Sequence, residues 1–473
     1  MDTKKLRQKI LDLAIRGKLV PQDPNDEPAS ILLERIRAEK EQLIKEGKIK
    51  RGKKSAATDK SHYENVPFEI PESWAWCQFG EYLDVRDGTH DSPKYVDKGF
   101  PFVTSKNLNN GRIDFSTAKF ISEEDHINFS QRSFVEDGDI LFAMIGSIGN
   151  PVLVVKDREF SIKNVALFKP YNRENTYMDY VLYYLHYIQE SLRMDAKGGM
   201  QPFIPLNYFR RDLMIPLPPL NEQKRIVSEL QKLIAHIDEV DYEATGIKVD
   251  INKTKSKILD LAISGKLVPQ DPNDEPAIEL LKRVNPGFKP CDNSHYENLP
   301  ENWCLAKVND VFVINPRNKA EDNTIAGFIP MTLIDDGYSN TFSYDKRKWG
   351  SIKTGFTHFA DGDVAVAKIS PCLENRKSIV LRDLPNGIGA GTTELHVFRS
   401  SVVVPEYALY FFKSEYFISK CVGTFNGVVG QQRVGKNIIE EIQIPIPPIN
   451  EQTKIVSTIE TIFTQLNTIT AEL

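Results

Sequence analysis

KILDLAIRGKLVPQDPNDEPA, Lys9 to Ala29, returns as KILDLAISGKLVPQDPNDEPA, Lys257 to Ala277, with Arg16 against Ser264 as the only change. A second pair brackets it: IPLPPLNEQKRIV, Ile215 to Val227, returns as IPIPPINEQTKIV, Ile444 to Val456. Asn221 to Ala244 corresponds to Asn450 to Leu473 at a shift of 229, and Val249 to Ala277 corresponds to Met1 to Ala29 at a shift of 248. Only Thr245 to Lys248 lacks a counterpart. Set end to end, the two termini rebuild a near copy of the continuous middle. The pattern describes a closed ring of two half-units, cut open inside one of its two helices.

After each P-P-[LI]-N-E-Q phrase the apolar residues keep a helical period. Ile226, Leu230, Leu233, Ile237 and Val240 step by 4, 3, 4 and 3, as do Ile455, Ile459, Ile462, Leu466 and Ile469. That spacing predicts a coiled-coil seam, with Asn221 and Asn450 as N-caps. Continued to Gly265 the middle helix is expected to run about 40 residues, roughly 60 Å, with a bend at Gly246. A helix assembled from the two termini is expected to pack against it antiparallel. Leu6, Ile10 and Leu13 predict a helix over residues 1–16, closed by Gly17. VPQDPNDEPA predicts an ordered turn leading into a helix from Ala29 to Lys45. The basic run KIKRGKKSAATDKS that follows has no counterpart in the second half. It reads either as a solvated linker or as a contact for DNA phosphates.

Two long units lie between these frame elements. SHYENVPFEIPESW ends at Trp74 and SHYENLPENW ends at Trp303, and each proline-rich closing phrase begins 141 residues later. The intervening sequences diverge but keep an outline: VEDGDILFA (Val135 to Ala143) against FADGDVAVA (Phe359 to Ala367), and GFPFVTSKNL (Gly99 to Leu108) against GFIPMTLI (Gly327 to Ile334). Short runs rich in Val, Ile and Phe, broken by D-G and N-G, predict mostly β units with helices over 177–193 and 407–421. The expected fold is α+β: two pseudosymmetric, mostly-β domains joined by a long antiparallel helical coiled coil, with a circularly permuted internal repeat. The expected division is a helical region over 1–60, a first β domain over 61–216, a central long-helix region over 217–290, a second β domain over 291–445 and a closing helix over 446–473.

A net charge of −5 is not the bulk signature of a nucleic-acid binder, so any DNA-binding charge must be confined to one face or supplied by a partner. The five scattered cysteines form no C-x-x-C pair and read as buried thiols in a reducing compartment. With no apolar signal core in MDTKKLRQKI and no apolar run long enough to span a bilayer, the chain is expected to be cytoplasmic. There is no G-x-x-x-x-G-K-[ST], no H-E-x-x-H and no Pro-Pro-aromatic methyltransferase motif, and GIGAGTTE (Gly387 to Glu394) lacks the opening helix of a dinucleotide site. The acid pairs Asp137 and Asp139, and Asp361 and Asp363, recur inside D-G-D and read as structural turns rather than a metal site. The residues alone leave three readings open: a DNA-recognition and assembly protein, a nuclease with duplicated β domains, and a pseudosymmetric scaffold.

The two divergent units, each closed by P-L-P-P-L-N-E-Q or its variant and followed by a long helix, resemble the specificity subunit of type I restriction-modification systems. GKLVPQDPNDEPA and the terminal TAEL (Thr470 to Leu473) add to the resemblance, which covers nearly the whole chain. It implies two target-recognition domains that read the halves of a bipartite site in double-stranded DNA. It implies helices that hold them apart and a frame that docks two methyltransferase subunits and, through them, restriction subunits. S-adenosylmethionine, ATP and magnesium then belong to those partners, and this chain is expected to carry no cofactor, metal or catalytic residue.

Candidate DNA contacts come from residue types able to pair with base edges or phosphates. In the first unit these are Arg86, Thr89, His90 and Lys94 in RDGTHDSPKY, Ser105, Lys106 and Asn107 in SKNLNN, and Lys197, Gly198, Gly199 and Gln201 in KGGMQ. In the second they are Asn315, Arg317, Lys319, Lys368, Arg376 and Lys377, with Gln431, Gln432 and Arg433 in NGVVGQQR. A plain polar turn or solvated surface is the alternative for each.

Overall fold

The computed structural model describes residues 2–49, 66–196, 202–291, 299–424 and 432–473. The chain divides into two compact units, Met1–Tyr242 and Glu243–Leu473. The division falls within the long helix Leu220–Ile263, next to the four residues that have no counterpart.

In the first unit the helix Thr3–Ile15 ends where Gly17 takes φ +69° and the Lys18 N–H donates to the Leu13 carbonyl at 2.8 Å. The repeated turn then runs along the start of the long helix. The Gln22 side-chain amide donates to Glu222 at 2.6 Å, and Arg225 pairs with Asp26 at 2.6 Å. Arg7 pairs with Asp238 at 2.7 Å and Asp241 at 2.8 Å. Moving from Arg7 to Asp26 therefore means moving back from Asp241 to Arg225, so the two segments are antiparallel.

The second unit repeats these contacts at the sequence shifts of 248 and 229. Gln270 donates to Glu451 at 3.0 Å, Lys454 lies 3.6 Å from Asp274, and Lys255 donates to Asn467 at 2.6 Å. Each turn is thus fitted to the first turn of the helix it packs on.

The apolar stripe of those helices is wider than a two-helix seam requires. Ile226, Val227, Leu230 and Ile237 are buried in the core of the first unit, Leu233 is half-buried and Val240 is exposed. In the closing helix Ile449–Glu472 the buried set is Ile455, Val456, Ile459 and Phe463, with Ile462 and Leu466 half-buried and Ile469 exposed. Phe463 takes the inward position because its ring packs against Tyr338 at 5.6 Å and Tyr410 at 5.9 Å. The start of each helix is thus part of a β unit's core. The long helix continues without interruption through Gly246, and the helices begin at Leu220 and Ile449, one residue before the expected caps. Asn450 instead donates to Asp274 at 2.9 Å.

Each unit is built on one strand plan. In the first, Leu83–Asp87, Val165–Pro170, Ile140–Ala143 and Gly149–Leu153 form a four-stranded sheet in that spatial order. A second sheet orders Lys119–Ile121, Phe100–Val103 and Ser161–Ile162, the last two parallel. The second unit gives Val313–Ile314, Leu395–Arg399, Val364–Ala367 and Ser378–Val380 in its first sheet. Its other sheet orders Asp345–Lys348, Ile325–Ile329, Ile388–Gly391 and Thr357–Ala360, with the middle two parallel. A separate two-stranded pair closes each unit, Ala75–Gln78 with Met214–Leu217 and Cys304–Lys307 with Gln443–Ile446.

The units differ most around the second of these sheets, where the first unit has the helix Glu123–Ser133 and the second a fourth strand. The helix expected over 177–193 is Met178–Met194, whereas that over 407–421 is split into Pro405–Lys413 and Glu415–Val422. Ser414 makes the break, with ψ 152° and an Oγ that accepts the Phe417 N–H. Tyr180 and Tyr407 nonetheless tie these helices down alike, donating to the Pro216 and Pro445 carbonyls at 2.6 and 2.7 Å. Among the described residues no helix is long and apolar enough to cross a membrane.

Candidate nucleic-acid interface

Both glycine turns, residues 197–201 and 426–431, lie outside the described residues, so Lys197, Gly198, Gly199, Gln201 and Gln431 are given no position. The chain on their far side is held identically in both units. The Gly146 N–H donates to Pro202 and the Ile204 N–H to Met144, each at 3.0 Å. In the second unit the Ser370 N–H donates to Gln432 at 2.8 Å and the Val434 N–H to Lys368 at 2.9 Å. This clamp fastens the returning segment to the loop after the D-G-D strand, bringing Lys368, Gln432 and Arg433 together. Arg433 makes two bonds to the Glu394 carboxylate at 2.8 and 2.9 Å. In the first unit the corresponding loop lines an open cavity of about 270 Å³ with Gly146, Ser147, Ile148, Arg193 and Pro202.

A second cluster in the first unit joins two candidate loops. Ile162–Asn164 bonds on one side to Thr89 and on the other to Val103, so RDGTHDSPKY and SKNLNN flank the same segment. His90 reaches Asn164 at 2.6 Å and Asp87 at 3.0 Å, and Arg132 also pairs with Asp87. Lys163, Asn164 and Arg132 were not singled out in the sequence. Lys163 donates to Ser92 at 2.7 Å, and Asn164 sits at φ +54°. An N before the apolar run Val165 to Phe168 was the only signal. Lys94 and Lys106 are exposed and Ser105 half-buried.

Several candidates are spent inside the fold. Asn107 is buried, accepts from the Thr104 N–H at 2.9 Å and donates to the Asp114 carbonyl at 3.0 Å, so its amide offers no edge to a base. Thr89 is buried, its hydroxyl directed to Asp91, and Arg86 pairs with Asp84. Asn315 accepts the Val397 N–H at 3.0 Å. Arg376 donates to the Lys413 carbonyl at 3.1 Å and pairs with Glu415, and Lys377 donates to the Ile334 carbonyl at 2.6 Å. Polar residues at turns often satisfy backbone groups, and the sequence alone cannot separate that use from base reading. Arg317 and Lys319 are exposed and Lys368 half-buried. A further basic row, Lys346, Arg347 and Lys348, is exposed on the edge strand Asp345–Lys348. Lysines also guard sheet edges against pairing.

The D-G-D acids are likewise occupied. Asp139 is fully buried, pairs with Lys169 and Arg173 and accepts the Glu136 N–H at 2.7 Å. Asp363 is bound by Arg399 at 2.6 and 2.7 Å and accepts the Ala360 N–H at 2.7 Å. Among the described residues no group of three or more His, Cys, Asp or Glu could hold a metal.

His396 sits behind the second clamp, 3.3 Å from the Asn315 amide and 3.2 Å from the Val434 carbonyl. A carbonyl beside Nε2 requires a proton there, and the Asn315 amide then donates to a bare Nδ1, so the ring is neutral. Burial pushes its pKa down to about 4. Between the ordinary histidine value of about 6.5 and about 4 the unfolded chain binds the proton and the folded one resists it, so this stability is lost as pH falls through that window. An acid titration of the melting temperature should therefore be shallower for His396→Gln between pH 6.5 and 5 than for the wild type. Equal slopes would exclude His396 as a source.

A tandem protein is thereby defined: two α+β modules that share one frame and one turn-to-helix clamp, and differ in the loops they present. The family model for the type I restriction modification DNA specificity domain, Methylase_S, matches residues 71–243 and again 300–473, and the chain belongs to that family. It is similar to the type I restriction enzyme EcoEI specificity subunit of Escherichia coli, 40% identical over 227 residues that cover 44% of this chain and 38% of the relative. The EcoAI specificity subunit of Escherichia coli is 42% identical over 225 residues with the same coverages. The matched stretch thus spans well under half of these relatives' length. A solved structure from work on complex assembly and conformational transition of the type I R-M system shares the fold, with a TM-score of 0.55 at 18% identity over 86% of this chain and 94% of that one.

Proposed function

We infer that this chain is a sequence-specific DNA-recognition subunit of a type I restriction-modification complex, acting in the cytoplasm without chemistry of its own. Each module reads one half of a bipartite, asymmetric target in double-stranded DNA. The helices form an antiparallel coiled-coil ruler that sets the gap, and the repeated frame docks two methyltransferase subunits and, through them, restriction subunits. S-adenosylmethionine, ATP and magnesium reside on those partners. One observation carries the reading: a family model for a DNA specificity domain matches once in each module, and the modules keep their frame contacts while changing their loops. Unlike readers on like frames require unlike half-sites. Major grooves on one face of DNA recur about every 34 Å, and a 44-residue helix spans roughly 66 Å.

The test is reconstitution with the methyltransferase from the same source, followed by sequencing of methylated adenines. The expected outcome is a gapped, asymmetric motif marked by a two-to-one complex, and no methylation by the purified chain with methyl donor alone. Inserting a few residues beside Gly246 should lengthen the gap and leave both half-sites unchanged. Altered half-site bases at constant spacing would refute the ruler, and methylation or cleavage by the lone chain would refute the assignment of chemistry to partners.

A further inference from the structure

We propose that Phe203 and Arg433 are equivalent specificity-determining positions, each presenting its side chain to a base edge in the half-site its module reads. The inference rests on the DNA-recognition reading above. Both residues occupy the middle of the clamped segment, where isolated bridges pair Ile145 with Phe203 and Ile369 with Arg433. The flanking hydrogen bonds match pair for pair, so the backbone is the same in the two modules.

In an extended segment successive side chains point to opposite faces. Ile204 and Val434 are buried, at 6% and 1% exposure, so the residue before each is turned outward. At that outward position the first module carries a phenylalanine left 41% exposed, and the second a guanidinium held by Glu394. A phenylalanine 41% exposed leaves much of its ring open to a partner. Its ring matches what a base edge offers an apolar group: a thymine methyl in the major groove or a step that can be unstacked. The planar guanidinium, paired through Nε and one Nη with the Glu394 carboxylate, has the chemistry that matches guanine O6 and N7. Frame held constant and side-chain chemistry exchanged is the arrangement expected of a position that sets which base is read.

The experiment uses the full chain assembled with its methyltransferase. Methylation rates are measured on the wild-type motif and on a panel with each base pair substituted singly, for the wild type, Phe203→Ala, Phe203→Leu, Arg433→Lys and Arg433→Gln. Val155→Ala, at an unrelated site that is 85% exposed, serves as a control. Phe203→Ala should reduce discrimination at one base pair of one half-site by roughly 10- to 100-fold and leave the other half-site intact. Arg433→Gln should do the same in the opposite half-site, with Arg433→Lys retaining part of the preference. The melting temperature of the Phe203 variants should not change. Unchanged discrimination at every position, or a uniform loss over all substrates, would overturn the inference while leaving the recognition function standing. A wild-type complex that marks no bipartite motif would overturn both.

Discussion

Asp139→Ala should destabilise the first module by about 3–5 kcal/mol, the cost of removing one partner from a buried ion pair. The carboxylate is fully buried between Lys169 and Arg173 and accepts the Glu136 N–H at 2.7 Å. Burial pushes the acid's pKa upward, and Lys169, the Glu136 N–H and Arg173 pull against it. Deleting it strands a Lys169 side chain that is only 10% exposed and leaves the Glu136 N–H without its acceptor. Glu136 remains 2.8 Å from Lys169, but its side chain is 52% exposed and its charge is better hydrated than buried. The equivalent Asp363→Ala should cost less, about 2 kcal/mol, because Arg399 is 38% exposed and can turn to water. Thermal or urea unfolding of the full chain reads both. The melting of the first module should shift by roughly 10 °C with Asp139→Ala and that of the second by less with Asp363→Ala. Equal small shifts would mean that the turn is held by its backbone bonds alone.

The D-G-D pair also marks how far the sequence could be read. Its recurrence in two divergent modules pointed to a structural turn, and the buried ion pairs supply the physical reason. The cations, Lys169, Arg173 and Arg399, lie 30 or more residues away and carry no local signal. Elements governed by periodicity were legible: the helix from Ala29 to Lys45 matches its expected bounds, and the long helices begin within a residue of theirs. The width of the buried stripe was not, because Val227, Val456 and Phe463 are turned inward by strands and helices distant in the chain. The same limit governs the interface. Arg376 and Lys377 have the composition of base readers, yet each satisfies a backbone carbonyl that only the folded topology brings within reach, whereas Asn107 is spent locally in a capping box with Thr104. Phe203 has no polar group to mark it as a base contact in the sequence, and only the clamp reveals that it faces out.

Gly265→Ala should be the costliest single change in the repeated turn, at about 2–5 kcal/mol. Two terms add. At φ +71° an L residue costs about 1–2 kcal/mol, and a Cβ there would lie 2.3 Å from Pro300 Cγ and 2.6 Å from its Cδ. Overpacking of that kind costs about 1–3 kcal/mol. The proline ring cannot simply withdraw, since the Trp303 N–H bonds back to the Pro300 carbonyl and the Trp303 indole, buried behind the turn, donates to Glu451 at 3.0 Å. Displacing it disturbs the carboxylate that receives Gln270, and so the whole turn-to-helix clamp. Gly17→Ala should behave alike, with φ +69° and Pro71 Cγ at 2.5 Å. Gly47 separates the two terms, for it has φ +71° and nothing within 4 Å of where a methyl group would sit. Gly47→Ala should therefore show the backbone cost alone, about 1–2 kcal/mol. Denaturant midpoints for the three variants would give the steric contribution by difference. If Gly265→Ala and Gly47→Ala cost the same, close packing does not explain why the turn is kept nearly identical in both half-units, and a demand from outside the chain becomes the better account of that identity.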